Sequence, residues 1–114
     1  MIYHVVSGQI APSIDNEAGK ALIEWSKKLV GVARGKWPDI DMQFLTMARG
    51  KNGVVQWTGK YESFAAWEEF FTTVYWQDPE IKALYKKASE AQKELGAPWV
   101  TESDNSFYQI HEPA

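Results

Sequence analysis

The sequence has 114 residues, of which 45% are hydrophobic and 24% are charged, proportions that are typical of one globular domain. It contains no cysteine, which excludes disulfides, thiolate zinc sites, iron–sulfur clusters and thiol nucleophiles. The formal net charge of −3 comes without a basic block, so nucleic acid is not an expected partner. Because neither a membrane span nor a signal peptide is visible, we expect residues 1–114 to form one cytoplasmic domain.

The start of the sequence predicts a strand followed by a long helix. Residues 2–10 are rich in β-branched and aromatic side chains, which favours a strand. Apolar side chains then recur at helical spacing, and Asp15 lies in the cluster of residues that can cap this helix. Because Gly35 is typical of a helix end and Pro38 forbids continuation, we expect the first helix at about residues 15–34.

The middle of the sequence predicts a hairpin of two antiparallel strands. Residues 40–48 and 54–62 both alternate in polarity, as strands with two different faces do. The connection at residues 49–53 contains Asn52 and Gly53, and Asn-Gly between alternating segments is a strong hairpin signal.

A helix in two pieces and a last strand are expected to complete the chain. Ser63 can cap the first piece, and Asp78 can cap the second, which ends at Gly96. A proline follows Asp78, and proline lacks an N–H and disfavours a helical residue before it, so we expect a break here. Residues 99–111 predict the final strand, with a bulge or bend at residues 104–105.

The resulting element order is βαββαβ, the ferredoxin-like pattern of the α+β class. Right-handed crossovers arrange the four strands as an antiparallel sheet in the order 4-1-3-2, with the helices on one face. The strand positions on the other face mix apolar and polar side chains, namely Leu45, Met47, Val54, Gln43, Gln56 and Thr58. Because a half-apolar sheet face usually meets a partner, we expect a homodimer through this face.

One segment carries a family resemblance. From Trp57 to Glu69 a strand ends in an aromatic–acidic–serine step into a short helix, and this segment resembles the dimeric α+β barrel superfamily. Residues 77–80, which open the longer helix, are similar to the same superfamily, and the nearest sub-pattern is that of NIPSNAP-type and stress-response barrels. The resemblance implies a dimeric α+β barrel, in which two sheets close face to face, and a ligand cavity between sheet and helices.

Aromatic side chains, 14% of all residues, are concentrated at positions expected to lie between sheet and helices. They occur at core spacing, so a plain hydrophobic core is one interpretation. Under the resemblance they line a cavity for an aromatic or apolar small molecule. The candidate ligand-binding residues are Trp25, Trp57, Tyr61, Trp67, Phe71 and Tyr85. Tyr61, Tyr75 and Trp76 are expected to shape the mouth of that cavity.

The sequence contains no strong catalytic motif. The candidate catalytic residues are His4, Tyr61 and His111, and Asp41 is a further polar group that can face the cavity. Antiparallel first and last strands can bring His4 near His111, where Glu112 completes a minimal metal site or an acid–base pair. The alternative is two ordinary histidines near a sheet end, and we expect no metal.

Several functions stay open at this point. The leading prediction is binding, with or without transformation, of an aromatic or apolar small molecule. The alternatives are a non-catalytic assembly or stress-response barrel and a cofactor-free monooxygenase-like enzyme. The superfamily also includes haem-degrading monooxygenases, whose pattern needs a helix histidine. Residues 5–110 contain no histidine, so we expect no haem ligation and no cofactor.

Overall fold

The structure is a computed structural model that describes residues 1–50 and 52–113. Its strands and helices follow one another in the predicted order. The strands are β1 at Ile2–Ile10, β2 at Gln43–Thr46, β3 at Val54–Tyr61 and β4 at Val100–Gln109. The α-helices are α1 at Asn16–Lys36, α2 at Phe64–Glu69 and α3 at Pro79–Leu95. The sheet is antiparallel with the order β2-β3-β1-β4, which confirms the predicted ferredoxin-like topology read from the other edge.

The pairing register assigns the strand residues to two faces of the sheet. His4 of β1 lies opposite Gly59 of β3, and Trp57 packs among residues of the helices. Leu45 of β2 lies opposite Gln56 of β3. Because successive side chains in a strand point to opposite faces, His4, Gly59 and Trp57 share the helix-covered face, and Leu45 and Gln56 lie on the other. We call this other face the bare face.

Helix α1 ends two residues later than the sequence predicts. Asp15 caps it, because its carboxylate accepts the backbone N–H three residues on at 2.9 Å. Gly35 does not end the helix, which continues to Lys36. The N–H of Trp37 donates to the carbonyl of Ala33 at 2.7 Å in the last such bond of the helix. Pro38 follows and cannot continue the helix.

The second strand is shorter than the predicted residues 40–48. Pro38–Ile40 forms one turn of 3₁₀ helix, and Asp41 follows with a φ of 49° in the left-handed region. This reversal delays the start of β2 to Gln43, because a strand requires extended backbone.

The predicted hairpin is present. β2 and β3 pair directly, and the N–H of Met47 bonds the carbonyl of Val54 at 3.0 Å beyond the end of β2. Gly53 has a φ of 79°, a conformation that favours glycine. Lys51, which belongs to the predicted turn, lies outside the described residues.

The helix in two pieces is confirmed, and a π-helical turn occurs within it. Ser63 caps α2 through a bond from a backbone N–H at 3.1 Å. Phe70–Tyr75 then continues as a π-helix, which the sequence does not predict. Asp78 starts α3 by accepting two backbone N–H groups at 2.9 and 3.0 Å, and Gly96 ends it with a φ of 77°.

The bulge in β4 lies earlier than predicted. The register shifts opposite Gly8, so that residues 102–103 form the bulge, and Glu102 has a φ of 55°. The prediction of residues 104–105 is therefore wrong. A Cβ atom at Gly8 would collide with the side chain of Val100, so the close approach of β4 at this point depends on glycine.

The helices bury two apolar clusters against the sheet. The larger cluster includes Leu29, Met42, Tyr75 and Ile81. The smaller cluster consists of Leu22, Ala88 and Trp99, with further side chains packed around it. Among the described residues no helix combines the length and the apolar character that a membrane span requires.

Candidate functional site

A cavity of about 400 Å³ lies between the helix-covered face of the sheet and the helices. Small-molecule sites commonly have volumes of about 300–1,000 Å³. All six residues predicted to bind a ligand line this cavity, namely Trp25, Trp57, Tyr61, Trp67, Phe71 and Tyr85. The described residues that line it include no Asp, Glu, Lys or Arg. The cavity is therefore aromatic and free of formal charge, apart from what its histidine and tyrosines acquire on titration.

Gly59 keeps the sheet side of the cavity open. A Cβ atom at this position would lie 3.0 Å from the Tyr61 hydroxyl and 3.0 Å from a methyl group of Ile40. The missing side chain leaves room for the Tyr61 ring to lie back along its own strand. His4 occupies the opposite position on β1 and also lines the cavity.

His4 is surrounded by aromatic rings. Its own ring stacks on Phe107 with centroids 4.8 Å apart and lies 5.1 Å from Trp67 and 5.7 Å from Phe71. The residue is only 6% exposed. Burial lowers the pKa of His4 below its usual 6.5, and the hydrogen bond to Asn105 opposes that shift. His4 is therefore neutral at pH 7.

The hydrogen bond to Asn105 selects the tautomer of His4. The Oδ1 atom of Asn105 lies 3.0 Å from Nε2 of His4 and can only accept, so Nε2 carries the proton. Nδ1 is then an unprotonated acceptor in the neutral ring. Within the described part of the chain, Nδ1 forms no hydrogen bond.

Two further polar atoms near His4 lack a protein partner. The indole Nε1 of Trp67 is buried and has no hydrogen-bond acceptor among the described residues. The hydroxyl of Tyr61 also forms no hydrogen bond within those residues. Burial raises the pKa of Tyr61, so the hydroxyl stays protonated. An unpartnered buried donor is rare in proteins and calls for an explanation.

The opposite side of the cavity satisfies its polar atoms internally. Trp25 Nε1 donates to a main-chain carbonyl of α3 at 2.7 Å, and Trp57 Nε1 donates to Ser26 at 3.1 Å. The hydroxyls of Tyr75 and Tyr85 lie 2.8 Å apart and bond each other. Burial raises the pKa of both tyrosines, so the pair is neutral.

The π-helical turn supplies two rings to the cavity, Phe71 and Tyr75. Its backbone departs from α-helical bonding, and the hydroxyls of Thr72 and Thr73 bond the carbonyls of Glu68 and Glu69 at 2.8 and 2.6 Å. The threonine hydroxyls thus donate hydrogen bonds to backbone carbonyls just before the π-helical turn.

The mouth of the cavity differs from the one predicted from the sequence. Tyr61, Tyr75 and Trp76 all line the cavity, but Tyr61 and Tyr75 are buried. Only Trp76, which is 43% exposed, reaches the surface. Tyr75 is buried because its hydroxyl bonds Tyr85 inside the layer.

The predicted pairing of the two histidines is not formed. The register places Phe107 opposite His4, so His111 lies four residues further along the chain, beyond the end of β4 at Gln109. His111 is exposed after the end of β4. Among the described residues no group of three His, Asp or Glu side chains is placed to hold a metal ion.

Asp41 does not line the cavity. It forms an ion pair with Arg34 at 3.2 Å and approaches Lys60 at 4.0 Å, and both contacts are exposed. The sequence did not reveal Asn105 as a residue of the site, because it was assigned to a bulge. One signal for Asn105 is its spacing of two residues from Phe107, which places both side chains on the same face of β4. This spacing points to His4 only once the register of β4 against β1 is known.

A second, open groove of about 650 Å³ lies beside the cavity, between α1, α3 and the loop after α3. It shares Trp25, Trp57 and Tyr85 with the cavity, so these three rings separate the two spaces.

The bare face carries exposed apolar side chains among polar ones, as predicted. Leu45, Met47 and Tyr108 are 40%, 46% and 57% exposed. Polar side chains also lie on this face, where the Tyr3 hydroxyl donates to Thr58 at 3.0 Å.

Neither a known protein-family profile nor a curated protein matches the sequence. Solved structures do match. A dimeric protein of unknown function and ferredoxin-like fold from Bacteroides fragilis has a TM-score of 0.66 and 14% identity, over 96% of this chain and 95% of that chain. A NIPSNAP domain protein from Burkholderia xenovorans has a TM-score of 0.63 and 11% identity, over 97% of this chain and 95% of that chain.

An antibiotic biosynthesis monooxygenase is similar to the same extent, with a TM-score of 0.64 and 11% identity over 98% of this chain and 100% of that chain. At such identities the likeness establishes the fold and not the activity. The predicted resemblance is thereby confirmed at the level of fold, because this chain shares its fold with a NIPSNAP domain protein and with a protein described as dimeric and ferredoxin-like.

Proposed function

We propose that this protein binds an uncharged aromatic or apolar small molecule in the cavity between sheet and helices. The observation that carries the proposal is the composition of the cavity, which combines aromatic walls with a few polar atoms that lack a protein partner. Ligand sites usually combine an apolar lining with a small number of placed polar groups. A tightly packed core has neither a cavity of about 400 Å³ nor an unpartnered buried donor.

The proposal is tested by equilibrium dialysis with two probes, 2-methylnaphthalene and 2-naphthol. We expect saturable binding of both by the unaltered protein. Val6 lines the cavity, so Val6→Phe fills part of the space and should weaken binding of both probes at least tenfold. Val74→Phe is the matched control, because Val74 is exposed and is not among the residues that line the cavity.

The competing interpretation is a non-catalytic assembly or stress-response barrel in which the rings are core alone. It predicts that the protein binds neither probe, or that Val6→Phe and the unaltered protein bind them equally. Either result would overturn the proposed function. The cofactor-free monooxygenase stays a prediction from the resemblance. The cytoplasmic location stays a prediction from the sequence.

We also propose that two copies associate through the bare face. Exposed Leu45, Met47 and Tyr108 support this assignment, and the Bacteroides fragilis protein of the same fold is described as dimeric. A stable interface buries more than about 1,000 Å² in total, and a two-fold axis is the commonest symmetry.

The dimer is tested by light scattering at micromolar concentration. Leu45→Glu places like charges across the two-fold axis and should give a monomer or an unfolded chain. Leu95→Glu is the matched control, because both leucines are 40% exposed and Leu95 lies at the end of α3, away from the bare face. A monomeric unaltered protein of 13.0 kDa would contradict the proposal.

A further inference from the structure

Two polar atoms on one side of the cavity form an unsatisfied donor–acceptor pair. Trp67 Nε1 is a buried donor without a partner among the described residues. Nδ1 of His4 is an acceptor without a partner in the same part of the chain, because Asn105 holds the proton on Nε2. The two rings are neighbours, with centroids 5.1 Å apart.

A hydroxyl group complements both atoms at once. Its oxygen can accept the N–H of Trp67, and its proton can be donated to Nδ1 of His4. A carbonyl satisfies only the donor, and an amine nitrogen with its lone pair in an aromatic system satisfies only the acceptor. We therefore propose that the ligand of this cavity carries a neutral hydroxyl group, bound between Trp67 Nε1 and Nδ1 of His4.

The absence of charge on the cavity lining specifies the hydroxyl as neutral. No Lys or Arg is among the described residues that line the cavity, so a carboxylate or phenolate there would lack a counter-ion. His4 is itself neutral, because burial lowers its pKa. A buried anion next to a neutral imidazole is unfavourable, whereas a protonated hydroxyl meets both polar atoms without charge.

Asn105 acts in this arrangement as a positioning residue. It touches His4 and not the proposed hydroxyl, and its amide oxygen fixes which ring nitrogen is protonated. Without this bond the proton can move to Nδ1, which would then be a donor facing another donor.

This inference rests on the proposed function, and the two probes are chosen so that the two proposals fail in different ways. The probes have the same ring system and differ only in a hydroxyl against a methyl group of similar size. At pH 7.5 we expect 2-naphthol to bind about tenfold more tightly than 2-methylnaphthalene, since the latter leaves the donor and the acceptor unpaired.

The decisive variant is Trp67→Phe, which removes the N–H and keeps an aromatic ring. It should bring the affinity ratio of the two probes close to one while leaving the affinity for 2-methylnaphthalene nearly unchanged. Trp37→Phe is the matched control, because Trp37 is not among the residues that line the cavity, and it should keep the ratio. Asn105→Ala should also lower the ratio, which a merely structural role of Asn105 would not do.

The outcomes separate the proposals. Equal affinities for the two probes in the unaltered protein would overturn the hydroxyl site and leave the binding function standing. The same holds for a tenfold preference that survives Trp67→Phe. Failure to bind either probe would overturn the binding function itself, and the hydroxyl site with it. A preference lost in Trp67→Phe and kept in Trp37→Phe supports both.

Discussion

The two sides of the cavity differ in how their polar atoms are satisfied. The bonded wall consists of Trp25, Trp57, Tyr75 and Tyr85, and every indole N–H and hydroxyl in it bonds within the protein. The open wall consists of His4, Tyr61 and Trp67, and it leaves Nδ1, a hydroxyl and an indole N–H without partners among the described residues.

The difference assigns separate tasks to rings that look alike in the sequence. Buried polar atoms in folded proteins are nearly always paired, because an unpaired one costs about 1–3 kcal/mol. The bonded wall follows this rule and stabilises the layer between sheet and helices. The open wall departs from it at Trp67 Nε1, which is buried and unpaired among the described residues, and this departure supports the proposed ligand site. Substitutions in the bonded wall should therefore affect stability, and substitutions in the open wall should affect binding.

The largest expected effect is on the free energy of unfolding when a ring of the bonded wall is removed. Tyr75 is 2% exposed, so Tyr75→Ala leaves a cavity and an unpaired hydroxyl on Tyr85 and should cost about 3–5 kcal/mol. Trp67 is half-buried with no hydrogen bond to lose, so Trp67→Ala should cost less. Urea denaturation measures both, and equal losses would contradict the distinction between the walls.

A conservative pair of substitutions sharpens the comparison. Trp25→Phe and Trp67→Phe remove the same atoms, but only Trp25 has a bonded N–H. We expect Trp25→Phe to lose about 1 kcal/mol more of unfolding free energy than Trp67→Phe, the usual net value of a hydrogen bond. The difference between their urea midpoints is the measurement, and a larger loss in Trp67→Phe would show that its N–H is paired in solution.

The smallest expected effect is a pH dependence of stability from His4. Its folded-state pKa is lowered, so the unfolded chain binds a proton first as the pH falls below about 6.5. Stability should therefore be fully present above pH 6.5, decline as the pH falls toward the folded pKa, and level off below it. His4→Leu should lack this decline, while the exposed His111 is common to both proteins. Parallel stability curves between pH 7.5 and 5 would show that His4 is not buried in its neutral form.

Local signals in the sequence were sufficient to predict the fold. Asp78 before a proline breaks the second helical region, and Asn52-Gly53 joins two alternating segments, so the element order follows directly. Handedness then fixes the strand order without any knowledge of side-chain packing. The rings that line the cavity were also predictable, because residues at core spacing on both layers must face the space between sheet and helices.

The polar part of the site was not predictable, because it depends on register and backbone detail. The bulge at residues 102–103 shifts β4 against β1, and only this register brings Asn105 to His4 and leaves His111 outside. The π-helical turn at Phe70–Tyr75 depends on bonding that no spacing rule anticipates. Whether an indole N–H is bonded, as in Trp25, or unpartnered, as in Trp67, follows from tertiary contacts alone.

The most direct test of the cavity as a ligand site is nitrogen-15 NMR of the six indole N–H groups during titration with 2-naphthol. We predict that the Trp67 resonance moves most, because its N–H gains an acceptor. Smaller shifts are expected for Trp25, Trp57 and Trp76, which also line the cavity, and none for Trp37. Shifts led by Trp99, which lines the open groove and not the cavity, with Trp67 unmoved, would contradict the account.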